Sequence, residues 1–298
     1  MLTNGNLNTK GSTIKEVLEK GILMLKKAHN EAPVIDAGAL LCDILKKDKA
    51  YIYAFGEQEI SKEQSEVFIQ NIKKRISGTP LQYLTGHQEF MSLDFLVSED
   101  VLIPRQDTEI LVEKAIESAN MIGNNHIRIL DIGTGSGCIA ISLAYYISNC
   151  QVYALDVSSK ALMIAKNNAQ KNGVSSKIKF FEDNIYSMDL KNCYFGEGFD
   201  IVVSNPPYIP TEEIKNLQVE VRGYEPMSAL DGGVDGLDFY KFIVNIGKEI
   251  LKSNGMLMFE VGYNQAQDVA RLMKEKYSEI QIVKDLSGID RVVTAKKL

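Results

Sequence analysis

Two different spacings of apolar residues divide the chain near residue 80. Upstream, apolar side chains recur every three or four positions, which predicts amphipathic helices at 13–28, 33–46 and 61–77. Ser61 with Gln64 three positions later is a capping-box pattern that opens the third helix, and Gly78 follows its end. We therefore expect a small helical domain at the start of the chain.

From residue 127 onward, short apolar runs alternate with helical stretches. Strands are predicted at 127–132, 151–157, 178–181, 199–203 and 256–261, with helices at 136–147, 158–172, 237–252 and 265–276. This alternation predicts an α/β fold, a Rossmann-like and mostly parallel sheet covered on both faces. Two last strands, 279–284 and 291–295, are too close for a helical crossover and predict an antiparallel edge hairpin.

The segment between the two regions is rich in turn residues. Glycines and a proline mark a boundary at 78–86, and alternation of Phe90, Leu93, Phe95 and Val97 predicts a hairpin. A helix follows, with Asp107 or Thr108 as its expected cap. The predicted division is a helical domain at 1–85, a β-hairpin linker at 86–105 and the sheet domain at 106–298.

Composition restricts the class of protein. The 298 residues are 45% hydrophobic and 24% charged, with a net charge of −6, as in an ordinary folded protein. This acidic balance disfavours binding of nucleic acid mainly through its phosphates. Four dispersed cysteines, Cys42, Cys138, Cys150 and Cys193, predict reduced structural thiols and no metal site. No leader or membrane-spanning run is evident, so we expect a soluble cytoplasmic protein.

The sequence Asn205-Pro206-Pro207-Tyr208 stands directly after a buried strand. Two prolines end the strand because they lack N–H donors and fix φ, and they leave a stiff loop with outward acceptors. Taken alone, this pattern is equally compatible with a strand edge that the prolines merely terminate.

A glycine-rich turn, Gly133-Thr134-Gly135-Ser136-Gly137, follows the first strand and opens a helix. Ligands of such sheets bind at the carboxyl ends of the strands, where glycines allow close approach to the backbone. Asp156 ends the second strand, where a carboxylate can bind both ribose hydroxyls. Asp183, after the third strand, could accept from an adenine amino group.

Two cofactors fit this pattern, NAD and S-adenosylmethionine. The alternative is a purely structural role, in which the glycines serve only the packing of helix against strand. The third glycine of the dinucleotide pattern is replaced by Cys138. That replacement, together with the Asn-Pro-Pro-Tyr loop, favours S-adenosylmethionine.

Several further segments give the chain a specific resemblance. These are GTPLQYLTG (78–86), VLIPRQDTE (101–109), DIGTGSG (131–137), NPPY (205–208), Glu-Pro (225–226), DGGVDGLDFY (231–240) and SGIDRVV (287–293). The chain resembles the peptide chain release factor glutamine methyltransferases, the HemK/PrmC family. Two positions depart from the family pattern: Asn184 stands where an aromatic residue is usual, and Gln106-Asp107 where Pro-Glu is usual.

The resemblance implies an S-adenosylmethionine-dependent methyltransferase fold and transfer of a methyl group to the glutamine amide of the Gly-Gly-Gln motif in class 1 release factors. The helical domain would help to recognise the release factor. The implied cofactor-binding residues are Gly133, Thr134, Gly135, Ser136, Gly137, Asp156, Asp183, Asn184 and Asn205. The implied substrate-binding and catalytic residues are Asn205, Pro206, Pro207 and Tyr208.

The chemistry explains why such a loop is useful. An amide nitrogen is a weak nucleophile because its lone pair is delocalised into the carbonyl group. The Asn205 side-chain oxygen and the Pro206 carbonyl could accept hydrogen bonds from the two N–H groups of the substrate amide. This would turn the π face of the amide towards the methyl donor. Tyr208 could pack on the amide and exclude water. His29, His87 and His126 are isolated and predict no catalytic role.

Two other functions remain open. Asn-Pro-Pro-Tyr also serves methyltransferases that act on exocyclic amines of nucleic-acid bases, which present the same planar NH₂ group. The acidic charge and the helical domain favour a protein substrate. A catalytically idle fold that only binds a partner is disfavoured because loop and cofactor residues are both present.

Overall fold

The computed structural model describes residues 11–123, 126–188 and 196–298. After Gly86 the chain divides into two compact units, each described by itself below. The earlier three-part division at residues 85 and 105 stays a prediction. Cys193, expected to be a structural thiol, lies outside the described residues.

The first unit is built from helices around its own apolar core. The helices are α1 (Ile14–Lys27), α2 (Pro33–Leu45), α3 (Lys49–Ala54), α4 (Lys62–Ile76) and α5 (Leu81–Thr85). The capping box of Ser61 and Gln64 is present as predicted, and Thr13 with Glu16 forms another at α1. The short helices α3 and α5 were not predicted.

A buried ion pair joins two helices of this unit. Arg75 on α4 donates through Nε to Oδ2 of Asp36 on α2 at 2.7 Å, and Asn30 donates to the same oxygen at 3.0 Å. Asp36 is only 4% exposed, so these donors compensate a carboxylate that would otherwise be costly to bury. The pair therefore fixes α4 against α2.

The second unit contains a hairpin and an α/β sheet. Its elements are β1 (His87–Phe90), β2 (Leu93–Leu96), α6 (Glu109–Ile122), β3 (Ile127–Ile132), α7 (Cys138–Tyr146), β4 (Cys150–Asp156), α8 (Ser159–Lys171), β5 (Ile178–Glu182), β6 (Phe199–Ser204), α9 (Val219–Arg222), α10 (Asp238–Ile250), β7 (Leu251–Glu260), α11 (Ala266–Met273), β8 (Tyr277–Lys284) and β9 (Asp290–Lys297). The predicted alternation of strands and helices is confirmed.

The seven-stranded sheet has the order β5-β4-β3-β6-β7-β9-β8. Strands β5, β4, β3, β6 and β7 are parallel, whereas β9 pairs antiparallel with both β7 and β8. The predicted antiparallel edge hairpin is therefore confirmed. The chain runs outward from β3 and then returns to β6 beside it, which makes the β3–β6 border the switch point where ligands of such sheets bind.

Two local predictions were wrong. Thr108 holds the position before α6, but its side chain makes no capping hydrogen bond because residues 106–108 form a short 3₁₀ turn. The helix predicted to end at Lys252 ends at Ile250, because Leu251 is already extended and pairs with Phe199 at the start of β7.

The β1–β2 hairpin packs into the sheet unit. Phe90, Leu93 and Phe95 belong to the buried cluster beneath α6 and α7. Its two turn residues, Met91 and Ser92, both have positive φ although neither is glycine. Two side chains hold this unusual turn: Glu109 accepts from the Met91 amide at 2.7 Å, and Tyr146 donates to the Met91 carbonyl at 2.6 Å.

A buried amide ties the hairpin to the glycine turn. Asn168 on α8 is fully buried and accepts from the Leu96 amide at 2.7 Å. It donates to the carbonyl oxygens of Leu96 and Ser136 at 3.0 and 2.9 Å. One side chain therefore satisfies three backbone groups from two segments that are distant in sequence.

Replacing Asn168 with alanine is expected to destabilise the protein by about 2–4 kcal/mol, because it leaves these backbone groups without partners. Denaturant unfolding would measure the loss. Asn172→Ala, directly after the last residue of the same helix and less buried, is the matched control and should cost less than about 1 kcal/mol. Equal losses in the two variants would contradict the role given to Asn168.

Candidate functional site

A cavity of about 300 Å³ lies at the carboxyl ends of β3, β4, β5 and β6, within the second unit. The predicted residues that line it are Gly133, Gly135, Asp156, Asp183, Asn184, Asn205, Pro206 and Pro207. Thr134, Ser136, Gly137 and Tyr208 are not among its lining residues. The cofactor and catalytic roles of all these residues stay predictions.

The glycine turn uses its three glycines in two ways. Gly133 and Gly135 have φ of 77° and 54°, and a Cβ atom on either would meet nothing within 4 Å. Glycine is required at both positions because of the positive φ. Since neither residue has a side chain, their backbone faces the cavity directly. Gly137 is packed instead, since a Cβ there would lie 2.8 Å from the Ile141 Cδ1 atom.

Asp156 is held in place by backbone amides. Its Oδ2 accepts from Gly135 at 2.8 Å and its Oδ1 accepts from Ser158 at 2.9 Å. A carboxylate has about four acceptor positions, so each oxygen can still accept from a hydroxyl group of a ligand. A ribose with two neighbouring hydroxyls fits this arrangement. The backbone of Gly133 and Gly135, which carries no side chains, leaves room for such a ligand beside Asp156.

Thr134 and Ser136 are buried residues of the turn and hold it in place. Thr134 donates to Oδ2 of Asp131 at 2.6 Å. The Ser136 carbonyl accepts from Asn168, as described above. Asp131 is itself completely buried, and its Oδ1 has no hydrogen-bond partner in the described part of the chain.

Burial raises the pKa of Asp131 to about 7, against a smaller lowering by the Thr134 hydrogen bond and with a further increase from nearby Asp156. The folded protein therefore keeps a proton that the unfolded chain loses near pH 4. This contribution to stability is complete below pH 4 and is lost as pH rises to about 7.

Asp131→Asn should consequently gain stability relative to the wild type as pH rises from 5 to 8, by about 2.5 kcal/mol. Unfolding curves of both proteins in the same buffers at pH 5, 6, 7 and 8 would measure this difference. A difference that does not change with pH would contradict the raised pKa.

The Asn-Pro-Pro-Tyr loop is fixed at both ends. Ser204, the last residue of β6, donates through its hydroxyl to the Ile132 carbonyl at 2.7 Å. At the other end, the Tyr208 carbonyl accepts from Gln265 at 2.9 Å. Burial raises the pKa of the Tyr208 hydroxyl, with a further increase from Glu260. Tyr208 therefore stays neutral and packs as part of the loop's support.

The segment containing Asp231–Tyr240 presses against this loop. A Cβ atom on Gly232 would lie 2.7 Å from the Tyr208 Cα, and one on Gly236 would lie 2.3 Å from the Tyr208 carbonyl oxygen. The Gly232 amide also donates to the Ile209 carbonyl at 2.9 Å. Only glycine allows backbone to approach backbone this closely, which explains the glycines of that segment.

An ion pair joins two other segments at the cavity. Arg105 donates to Oε1 of Glu225 at 2.6 Å, and Leu102 and Pro226, from the same two segments, line the cavity. Burial raises the pKa of Glu225, while Arg105 beside it acts in the opposite direction. The sequence pointed to both segments only through the family resemblance and gave no sign that they touch.

Other lining residues were missed by sequence reasoning. Tyr186 and Phe239 both line the cavity, and their ring centroids lie 5.2 Å apart. Tyr186 follows Asn184 by two positions and brings an aromatic ring near the place where the family pattern has one. Phe239 lies in the DGGVDGLDFY segment that carries the family resemblance, but no sequence signal marked Tyr186 or placed either ring at the cavity.

A second missed group surrounds Asn205. The Asn205 side-chain nitrogen donates to the Thr108 hydroxyl at 3.2 Å. Glu260, the last residue of β7, is 2% exposed and interacts with both. A charged residue directly after an apolar strand that neighbours β6 was the available signal, but it required knowledge of the strand order.

Comparison with known proteins places this site in context. Residues 16–86 match the PrmC N-terminal domain, and residues 124–291 match a methyltransferase domain. The release factor glutamine methyltransferase of Clostridium acetobutylicum is 38% identical over 95% of this chain and 98% of its own length. That of Moorella thermoacetica is 40% identical over 95% of this chain and 98% of its own length.

A solved structure supports the fold alone. The hMettl16 catalytic domain, solved in complex with MAT2A 3'UTR hairpin 6, aligns with a TM-score of 0.51. It is 17% identical and the alignment covers 79% of this chain and 82% of that chain. Identity at full length with the curated relatives decides the family: this chain belongs to the release factor glutamine methyltransferases.

Proposed function

We propose that the protein transfers a methyl group from S-adenosylmethionine to the side-chain amide nitrogen of the glutamine in the Gly-Gly-Gln motif of class 1 peptide chain release factors. Full-length similarity to release factor glutamine methyltransferases carries the proposal. The shared cavity supports it, because Asn205 and Pro206 line the same space as Gly133, Gly135 and Asp156.

The cofactor would lie across the glycine turn. Asp156 would accept the ribose hydroxyls, and Asp183 and Asn184 would stand beside the adenine, with the Tyr186 ring close by. When bound, S-adenosylmethionine supplies an electrophilic methyl group. No helix in the described residues is both long and apolar enough to cross a membrane. Because release factors act in translation, we place the enzyme in the cytoplasm.

Asn205 and Pro206 would position the substrate. Oδ1 of Asn205 and the Pro206 carbonyl accept one hydrogen bond each from the two N–H groups of the glutamine amide, and this holds the amide plane fixed. This holds the nitrogen's π face towards the methyl donor, and positioning of this kind can lower the barrier by several kcal/mol. An amide alkylated on nitrogen is strongly acidic, so its proton leaves to water without a dedicated base. Pro207 stiffens the loop, and Tyr208 anchors it.

The helical unit of residues 11–86 would contribute to recognition of the release factor. Its match to the PrmC N-terminal domain supports this assignment. The acidic overall charge of −6 disfavours a nucleic-acid substrate. We therefore expect no direct binding of nucleic acid and no membrane association.

Incubation with S-adenosylmethionine and three substrates separates the candidate functions. We expect mass spectrometry to find one added methyl group on the Gly-Gly-Gln peptide of an intact release factor, and none on DNA or RNA oligonucleotides. Methylation of an adenine, cytosine or guanine amine instead would establish the alternative function. Binding of cofactor without transfer to any of the three would identify an idle fold.

A further inference from the structure

A buried carboxylate lies beside the residue proposed to hold the substrate amide. Glu260 ends β7, which pairs with β6 in parallel so that Phe259 stands opposite Ser204. The next residues of the two strands, Glu260 and Asn205, are therefore neighbours at the cavity edge. Glu260 is 2% exposed, and among the described residues its Oε2 has no hydrogen-bond partner. A buried carboxylate with an unmatched oxygen calls for an explanation.

Its polar neighbours Thr108 and Asn205 are joined by a hydrogen bond, in which Asn205 Nδ2 donates to Thr108 Oγ1 at 3.2 Å. Both side chains lie close enough to the Glu260 carboxyl for their hydrogen-bonding groups to lower its pKa. Thr108 is 2% exposed and reaches this position because it makes no cap for α6. The three side chains come from three separate segments of the second unit.

Glu260 forms no salt bridge with the cation that neighbours it in the described residues. Arg291 is the neighbouring cation, but its Nη2 binds Asp107 and its Nε binds Asp285, both at 3.0 Å. Burial raises the pKa of Glu260 to about 7; the hydrogen bonds and Arg291 lower it, and Asp107 raises it.

The direction of the hydrogen bonds follows from chemistry. Thr108 Oγ1 accepts from Asn205, so its hydroxyl proton is free to point to Glu260, and the ionised form of Glu260 can only accept. Thr108 and Glu260 therefore both present acceptors to the Asn205 amide, and only its NH₂ group can donate to them. Its Oδ1 is left to face the other way, and Asn205 lines the cavity. A flipped amide would present NH₂ to the NH₂ of the substrate glutamine and could not hold it.

We propose that Glu260 is a positioning residue, which acts through Thr108 and directly to fix the Asn205 side-chain amide with Oδ1 towards the substrate. This inference rests on the proposed function, because it deepens the role of Asn205 there. Glu260 is not among the residues that line the cavity. It supplies the fixed acceptor that distinguishes the two ends of an otherwise nearly symmetric amide group.

The test is a double-mutant cycle on the full chain, with kcat and KM measured on release factor. Glu260→Gln replaces the obligatory acceptor by a group that can also donate. Thr108→Val removes the hydroxyl at constant volume, and Thr108→Ser keeps it. We expect Glu260→Gln and Thr108→Val to lower kcat by about tenfold, the effect of losing about one hydrogen bond in the transition state. Affinity for S-adenosylmethionine should stay unchanged, and Thr108→Ser should restore kcat.

In an Asn205→Ala background the same two changes should have no further effect on kcat, because the group they position is gone. An equal fall in kcat with and without Asn205 would overturn the inference, as would wild-type kcat in Glu260→Gln. Thr108→Val carries the test if Glu260→Gln does not fold. Asp200→Asn, a carboxylate at the opposite end of β6 that binds Lys252, is the control and should keep wild-type kcat.

This result is separable from the proposed function. Methylation of the release factor glutamine by the wild-type protein establishes the function whatever the cycle shows. Failure of the wild type to methylate any release factor would remove the function and, with it, the inference.

Discussion

Asn205→Ala is expected to lower kcat for release factor methylation by about 10²–10³-fold. Loss of one preorganised polar group that acts most strongly in the transition state typically has this effect. The substrate amide would keep the Pro206 carbonyl but lose the second acceptor that fixes its plane. Affinity for S-adenosylmethionine should fall much less, because Gly133, Gly135 and Asp156 remain in the cavity.

Mass spectrometry of the Gly-Gly-Gln peptide over time would measure the rate, and calorimetry would measure cofactor binding. A melting curve distinguishes a catalytic loss from unfolding. Asn172→Ala, whose side chain donates to the backbone carbonyls of Asp94 and Asn168 away from the cavity, is the matched control. Methylation at the wild-type rate by folded Asn205→Ala would leave the loop as a strand terminator only.

Asp156→Ala is expected to weaken binding of S-adenosylmethionine by about 1.5–3 kcal/mol, the range for hydrogen bonds to a charged group. This corresponds to an increase in Kd of roughly 10–150-fold. The ribose hydroxyls lose their acceptor, and the Gly135 and Ser158 amides lose the carboxylate that holds them. Both effects act on the same side of the cavity.

Isothermal calorimetry would measure the affinity directly. Glu182→Ala is the matched control, because Glu182 pairs with Asp156 in register on β5 but does not line the cavity. Its affinity should match that of the wild type. Unchanged affinity in a folded Asp156→Ala variant would remove Asp156 from the ribose site.

The sheet could be predicted because its signals are local. Apolar runs bounded by turn residues located the core of every parallel strand, and the short gap between the last two strands required a hairpin. The start of β7 at Leu251 was missed because Leu251–Gly255 carries no apolar run and contains Asn254 with positive φ. Thr108 was expected to cap a helix because sequence spacing cannot reveal the 3₁₀ turn at 106–108 or the hydrogen bond from Asn205 to its hydroxyl.

The candidate site was predictable where residues follow a strand along the chain, as Asp156 and Asn205 do. It was not predictable where the contact joins distant segments. The Arg105–Glu225 pair spans 120 positions, and Glu260 reaches Asn205 only because β7 lies next to β6. Such partners depend on strand order, which periodicity alone does not provide.

The buried amide of Asn168 has a consequence for engineering of this protein. It binds both the amide and the carbonyl of Leu96, so the register of β2 is fixed to a single residue. An insertion within β2 would reverse which side chains face the core and, through the Ser136 carbonyl, displace the glycine turn. An insertion in the turn at Met91 and Ser92 would also be disruptive, because Glu109 and Tyr146 hydrogen-bond to the Met91 backbone there. This hairpin is therefore a poor place for tags or grafted loops, although exposed loop tips usually tolerate them.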